Sequence, residues 1–291
     1  MPSVLLLASP PPSGAANDNQ AVLSDAFASL GCRLTCVPHE ALAMGDAGLV
    51  VHTPDPVPLT AFDLVWLLGF GPRASYAQRL AALRTAPADR FVTPPDTMHT
   101  SHGKGAWLQW APLTIRGTSA EALTAAATHH GGDWVLKPEA GSFGRDVVRV
   151  PADNLPRISR HLASRTAEAW LLQRFVPAIV DGEVRTLVAG NEVIGSYRRL
   201  PLDGFTANLA QGSTPMPLPA GVSLPGAVHE VMEELQRRQI GFAAIDTCGV
   251  HVLEVNVANP GGLSTLVALA ATPDAPQRAA RAVLRWRGLV V

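Results

Sequence analysis

Hydrophobic and polar positions alternate most regularly between Gly241 and Gly262, GFAAIDTCGVHVLEVNVANPGG. Side chains alternate along a strand, so Phe242, Ala244 and Asp246 point to one face and Ala243, Ile245 and Thr247 to the other. Leu253, Val255 and Val257 alternate with Val252, Glu254 and Asn256 in the same way. The pattern predicts a β-hairpin whose three-residue turn, Cys248-Gly249-Val250, sets Asp246 opposite Val252 and uses Gly249 for a positive φ. Asp246, Glu254 and Asn256 then share one face, while the odd-numbered apolar positions face the core. Oxygen ligands on buried strands are costly unless a cation or hydrogen bonds compensate. Mg²⁺ takes a few carboxylate oxygens and shares its remaining positions with water and phosphates. On this stretch alone, a solvated face bearing ordinary acids fits equally well.

Upstream, Ser3 to Ala8 reads as a buried strand. Val22, Leu23, Ala26, Phe27 and Leu30 keep helical spacing behind the cap candidates Asn17 and Asp18. Arg33 to Val37 and Phe62 to Leu68 read as strands, Ala74 to Ala86 as a helix, and Arg90 to Thr93 as a short strand stopped by Pro94 and Pro95. This alternation predicts a small parallel α/β unit. No G-x-G-x-x-G follows its first strand, so a dinucleotide site is not supported. Residues 94–105 read as a loop and Glu121 to His130 as a helix. Asp133 to Lys137 and Val147 to Val150 read as strands around a glycine turn, Gly141-Ser142-Phe143-Gly144. Such a turn can present backbone N–H groups to phosphates, and it is equally an ordinary hairpin loop. Ala169 to Val176 is a strand, and Glu183 to Ala189 with Glu192 to Tyr197 a hairpin about Gly190-Asn191. Arg198, Arg199 and Asn208 fall in or beside the following loop. Pro215 to Pro225 is a connector. Val228, Val231, Met232 and Leu235 mark an amphipathic helix. A helix from near Ser264 would aim free N–H groups at the hairpin, and Ala275 to Arg287 is a final helix packed outside.

The 291 residues suit two or three subdomains. A net charge of −1 leaves no basic field for nucleic acid or an anionic membrane. Cys32, Cys36 and Cys248 form no disulfide framework and no zinc spacing, which predicts reduced core thiols. The start, MPSVLLLASPPPSG, lacks a basic n-region, and no apolar run approaches a membrane span; a cytoplasmic protein is expected. Composition adds one sharper clue. Of 23 basic residues only Lys104 and Lys137 are lysine. An ammonium at a phosphate site is a compact point charge that arginine does not replace without loss.

Four segments, WVLKPEAGSFGRDVVRV, LQRFVPAIVDGEVRTLVAG, YRRLPLDGFTANLAQGS and IDTCGVHVLEVNVANPGG, in this order and spacing, resemble the ATP-grasp superfamily and within it the bacterial glutathione synthetases. The resemblance runs from Lys104 to Leu263. It implies an α/β and α+β protein with the ATP-grasp fold: a Rossmann-like pre-ATP-grasp domain at 1–100, a small lid subdomain at 101–172 and a C-terminal subdomain with the metal site at 173–291. It implies an ADP-forming acid–amino-acid ligase that makes an amide or peptide bond through an acylphosphate, with ATP and Mg²⁺ or Mn²⁺ as cofactors. By the same resemblance, Lys104, Lys137, Gly141, Ser142, Phe143, Gly144 and Asp181 belong to the ATP site. Gln173, Arg174, Phe175 and Val176 line the adenine pocket with backbone groups and an aromatic. Arg185, Arg199 and Asn208 steady the transferring phosphoryl group. Asp246, Glu254 and Asn256 hold the metal, and Arg198, Asn259, Gly261 and Gly262 meet substrate. Small-molecule carboxylate and amine partners are implied, with no nucleic acid or membrane, and a homo-oligomer, dimer or tetramer, by analogy.

Blander readings stand beside these. Arg198 can pair with a surface acid, Arg145 and Arg149 can be solvated, and Asp181 can simply make its turn. His99, His102, His129 and His130 fit no zinc spacing and read as surface histidines. Where glutathione synthetases carry an Arg followed by an Asp-Pro-Pro-Phe-Asp-like run, this chain has Gly69-Phe70-Gly71-Pro72-Arg73, which puts glutathione itself in doubt as product. Other functions on the same fold are a protein or peptide glutamate ligase, a kinase, and a nucleotide-binding regulator without ligase activity.

Overall fold

The computed structural model describes residues 1–8, 18–46, 48–141, 144–163, 169–219 and 221–290. Its first hundred residues run β1 (Ser3–Ala8), α1 (Asn19–Ser29), β2 (Arg33–Val37), β3 (Leu42–Gly45), β4 (Gly48–His52), β5 (Pro56–Pro58), β6 (Leu64–Leu68), α2 (Tyr76–Leu83) and α3 (Pro95–Ser101). β1 pairs in parallel with β2 and β6, as the strand–helix alternation predicts. Every residue of β1 and β6 is buried, which is how a parallel strand covered on both faces reads. β3, β4 and β5 add a separate antiparallel sheet that the sequence pattern did not mark.

The middle sheet is antiparallel, in the order β7 (Thr114–Gly117), β10 (Trp170–Arg174), β8 (Trp134–Pro138), β9 (Val148–Val150). Two helices, α4 (Ala120–His130) and α5 (Pro156–Leu162), cover one face. Trp134, Leu136, Trp170 and Leu172 point into that helical side and form a core of their own with Leu123, Ala127 and Ile158. The alternate positions, Val135, Lys137, Leu171 and Gln173, therefore face the other way.

The last sheet is also antiparallel, in the order β13 (Thr214–Pro217), β12 (Glu192–Leu200), β11 (Glu183–Ala189), β14 (Phe242–Cys248), β15 (His251–Asn256). The helices of this part are α6 (Gly226–Arg237), α7 (Leu263–Ala268) and α8 (Ala275–Trp286). β14 is buried throughout and splits its side chains between two cores. Phe242 and Ala244 join Leu6 and Trp66 from the first sheet and Phe27 from α1, whereas Ala243 and Ile245 join Leu5, Leu7, Val228 and Val231. Trp66 packs edge-on against Phe242 with centroids 5.2 Å apart. The first and last sheets thus share both of their cores.

Several expectations change. Arg90 to Thr93 makes a single bridge, Val65 to Phe91, and not a strand. Its backbone stitches the two sheets instead: Val92 N–H donates to Val65 O at 2.9 Å, and Val92 O accepts from Gly241 N–H at 3.0 Å. Residues 94–105 are largely helical, because Pro95 opens α3 at the position where its missing N–H costs nothing. Arg198 and Arg199 lie within β12 and not in a loop, since the hairpin continues to Leu200. Asp18 is the N-cap of α1 but makes no side-chain cap bond, and Asn17 lies outside the described residues. α8 is not peripheral. Ala279, Ala280, Ala282, Val283 and Leu284 are fully buried in the core that it shares with α1 and the last sheet.

The hairpin turn between β11 and β12 brings the backbone against α8. Gly190 has φ +51°, and a Cβ there would sit 2.2 Å from Ala282 O. Gly190→Ala should therefore cost at least about 1–3 kcal/mol, read as a lower urea midpoint with an unchanged slope. A wild-type midpoint would contradict this close packing.

Candidate active site

The hairpin β14–β15 differs from the predicted one in its turn. Cys248 pairs with His251, so the turn is the two residues Gly249 and Val250. Thr247 then pairs with Val252 and Asp246 with Glu254, which leaves Leu253 as an extra, bulged residue. The bulge restores the shared face: Asp246, Glu254 and Asn256 (opposite Ala244) stand together. It also frees the Leu253 carbonyl from the ladder. Lys137 Nζ donates to that carbonyl at 3.1 Å and to Gln173 Oε1 at 3.0 Å, linking the middle and last sheets.

The polar face continues across four strands. Asp246 stands opposite Arg185, and Glu183 opposite Arg199. Arg185 forms a two-pronged pair with Asp246, Nε to Oδ1 at 2.8 Å and Nη2 to Oδ2 at 2.7 Å. Its Nη1 donates to Gly261 O at 3.1 Å. Arg199 Nη2 contacts both Glu183 and Asp246, the latter at 3.0 Å. Asn256 Nδ2 donates to Asp246 Oδ2 at 3.3 Å. Arg199, Glu183 and Asp246 are almost fully buried. Burial alone would raise the Asp246 pKa, but Arg185 and Arg199 outweigh it and hold the acid down at about 2. Burial pushes Lys137 the other way, down to about 8, with Glu254 and Asp246 partly offsetting it. Glu183 was not among the expected site residues, although its spacing of two from Arg185 on a predicted strand was a usable signal.

Lys104 begins a 3-10 segment, Lys104–Trp110. Its Nζ donates to Gly141 O at 2.5 Å and lies 3.4 Å from Glu254 Oε1. This segment is fixed from below by α6 and the residue after it. The Arg238 guanidinium lies 4.6 Å over the buried Trp107 ring, and Trp110 Nε1 donates to Glu230 Oε2 at 2.9 Å. Lys104, Lys137, Arg185 and Arg199 thus converge with Glu183, Asp246 and Glu254, four positive charges against three negative.

Other expected residues fall around this centre. Phe175 and Val176 pack with Leu253, Phe205 and Ile179 in a small apolar cluster, and Arg149 lies 4.2 Å over the Phe175 ring while paired to Asp133. The Arg174 side chain turns away, over Trp134, and donates to His130 O at 3.0 Å. Asp181, itself exposed, ends a 3-10 segment, Pro177–Asp181. Arg198 points to the face opposite Arg199. Asn208 caps a 3-10 turn by accepting from Ala210 N–H at 2.9 Å. Gly144 sits against Thr206 and Gln211 near Asn208, whereas Ser142 and Phe143 lie outside the described residues. Asn259 and Pro260 accept from the buried Asn19 Nδ2 at 2.8 and 2.9 Å, so the turn of Gly261 and Gly262 is tied to α1. Gly262, at φ +135°, opens the short helix α7.

The donor set suits a hard cation. Two carboxylates and an amide oxygen stand on one face, and Asp246 is held ionised. Among the described residues no group of three or more His, Cys, Asp or Glu side chains gathers that could hold a metal ion, so the set here is two carboxylates with an amide. No helix there is long and apolar enough to cross a membrane.

The model of the prokaryotic glutathione synthetase ATP-grasp domain matches residues 106–271, more than half of the chain. The chain belongs to the prokaryotic glutathione synthetase ATP-grasp family. The glutathione synthetase of Parasynechococcus marenigrum (strain WH8102) is 27% identical over 94% of this chain and 94% of its own. That of Xanthomonas axonopodis pv. citri (strain 306) is 33% identical over 75% of this chain and 67% of its own. Solved structures share the fold. A D-cycloserine synthetase superposes with a TM-score of 0.69 at 16% identity, covering 98% of this chain and 99% of its own. A macrocyclase from Microcystis aeruginosa MRC, bound with its precursor peptide, gives 0.69 at 14%, covering 97% and 99%. The family match contains Lys137, Arg185, Arg199 and the whole hairpin β14–β15; Lys104 lies just before it.

Removing one member of a buried charge cluster leaves the others uncompensated. Arg199→Met should destabilise the fold by about 3–5 kcal/mol, whereas Arg198→Met, on the other face, should change it by about 0.5 kcal/mol or less. Equal urea midpoints for the two variants would contradict the cluster.

Proposed function

We propose that the chain is an ATP-dependent carboxylate–amine ligase that forms an amide bond between small amino acid or peptide substrates. The observation that carries this reading is the convergence of Lys104 and Lys137 on the face of Asp246, Glu254 and Asn256. Phosphoryl transfer needs charge neutralisation and positioning more than a side-chain nucleophile. Lys104 and Lys137 would neutralise ATP phosphates, beside the turn that begins at Gly141. Phe175, Val176 and Leu253 offer an apolar seat for a base. Asp246, Glu254 and Asn256 would hold Mg²⁺, which when bound adds positive charge beside the phosphate oxygens. Arg185 and Arg199 fix Asp246 in place and keep it ionised.

The chemistry takes two steps. A substrate carboxylate oxygen attacks the γ-phosphorus and ADP leaves, giving an acylphosphate. The amine nitrogen then attacks the acyl carbon, phosphate leaves and the nitrogen gives up a proton. Water must be kept from the acylphosphate. The division of labour follows the three segments 1–100, 101–172 and 173–291, with ATP between the last two. Glutathione synthetases are the curated relatives, but the loop Gly69 to Arg73 leaves the acid and amine to be identified by assay.

ADP and phosphate release with Mg-ATP, across a panel of amino acids, peptides and small acids including γ-glutamylcysteine with glycine, tests the reading. Stoichiometric ADP with a product heavier by the amine minus water is expected. ADP with a phosphorylated product, or no turnover and no ATP binding, would overturn it. Lys137→Ala should lower kcat/KM for ATP by about 10²-fold or more, measured below its unfolding midpoint, which the loss of a buried cluster member should also lower. The pH dependence has a defined sign. The buried ammonium is charged below about pH 8 and neutral above it, so ATP affinity of the free protein should fall as pH rises through that value. An affinity flat from pH 7 to 9 would contradict a phosphate role for Lys137.

A further inference from the structure

Glu234 is a buried acid that takes no part in the charged face. It lies on α6, four residues after Glu230 and four before Arg238, the residue that ends the helix. That spacing sets the three on one stripe, and the stripe grips residues 101–110. Trp110 Nε1 donates to Glu230 Oε2 at 2.9 Å, and Glu234 pairs with the Arg238 guanidinium. Arg238 then reaches both sides of one loop. Its Nη1 donates to Ser101 Oγ at 3.4 Å and its Nη2 to Ala106 O at 3.4 Å, while its guanidinium carbon stands 4.6 Å over the Trp107 ring. Arg237 pairs with the same acid, but its side chain is 72% exposed.

The loop is closed at its neck. Trp107 Nε1 donates to Ser101 O at 2.9 Å, which brings the end of α3 against the 3-10 segment. The backbone leaves helical geometry at Trp107, with φ −125° and ψ 17°, so the neck depends on contacts from outside the segment. Lys104 stands at the tip, three residues from either side of the neck. A lysine stem is flexible, and its ammonium is placed only as well as the backbone that carries it. Here the carrier is fixed to the last sheet. Val228 and Val231 of α6 share a core with Val252 and Val255 of β15, next to Glu254, which lies 3.4 Å from Lys104 Nζ. Lys137, in contrast, is carried by the middle sheet.

We propose that Arg238 is a positioning residue for Lys104: it clamps the loop 101–107 at its neck and so sets the ammonium against Glu254 before a nucleotide arrives. Glu234 orients the clamp. A planar guanidinium can stack on the indole face and donate from its edge at once, which an ammonium cannot. The proposal rests on the ligase reading only for the phosphate that Lys104 meets; the clamp stands on the contacts at the neck.

Two measurements on the full chain test it. The first needs no nucleotide. Endoproteinase Lys-C cuts after lysine and poorly before proline. Lysine occurs only at 104 and 137, and Pro138 follows the second, so the bond after Lys104 is the one it cuts readily. Cutting through a local opening ignores urea below the unfolding transition, whereas cutting through global unfolding rises steeply with it. Arg238→Met should speed the cut about tenfold, with little dependence on urea, and Arg237→Met should leave it unchanged. The second measurement is calorimetric titration with AMP-PNP and Mg²⁺. Arg238→Met alone should weaken binding about tenfold. Added to Lys104→Met it should cost less than about twofold, because it acts through the ammonium that this variant lacks. An unchanged cutting rate, a faster cut that follows global unfolding, or the same acceleration in Arg237→Met would overturn the proposal. Equal losses of affinity with and without Lys104 would also overturn it. No AMP-PNP binding in the wild type, with the local cut still accelerated by Arg238→Met, would sink the ligase reading and leave the clamp standing.

Discussion

A charge placed on an inner β-strand has no water to solvate it and must be matched where it stands. Asp246 is in that position, on a strand buried along its whole length. Arg185, Arg199 and Asn256 match it from three neighbouring strands. The match is geometric as well as electrostatic, because these side chains are set opposite or near one another by cross-strand register. Once the register is fixed, an ionised carboxylate is held beside Glu254 at neutral pH. A misplaced register would turn this face into the core and the core into solvent.

The surrounding pieces serve the same face from different directions. The bulge at Leu253 both aligns Glu254 with Asp246 and releases the carbonyl that receives Lys137. The middle sheet keeps its helices on one side, so its opposite side brings Lys137 and Gln173 to the cleft. Arg238 and α6 support the segment that presents Lys104. Asn19 ties the turn at Asn259 and Pro260 to α1, which shares a core with the first and last sheets. The family match covers the middle and last sheets, and the loop after β6 is tied to the segment after β15 by Gly69 N–H donating to Ala258 O at 3.0 Å.

Much of this was legible in the sequence where a single period governs. The continuous apolar run of β1, the alternation on β14 and β15 and the turn at Gly190-Asn191 each have one dominant physical reading. The boundaries failed where two readings compete. A Pro-rich stretch at 94–105 reads as a breaker, yet Pro95 starts a helix. Arg198 and Arg199 look like loop residues by polarity, yet their strand carries one arginine on each face. The turn of the central hairpin was misread by one residue because a bulge leaves no mark in composition. The partners of Arg185 and Arg199 could not be read from spacing, since register between distant strands is a tertiary fact.

The central claim is that this charged face is a Mg-ATP site, and calorimetric titration of the wild-type chain with ATP, with and without Mg²⁺, tests it most directly. The account predicts one ATP per chain, bound tighter when Mg²⁺ is present. No ATP binding, or an affinity indifferent to Mg²⁺, would contradict it.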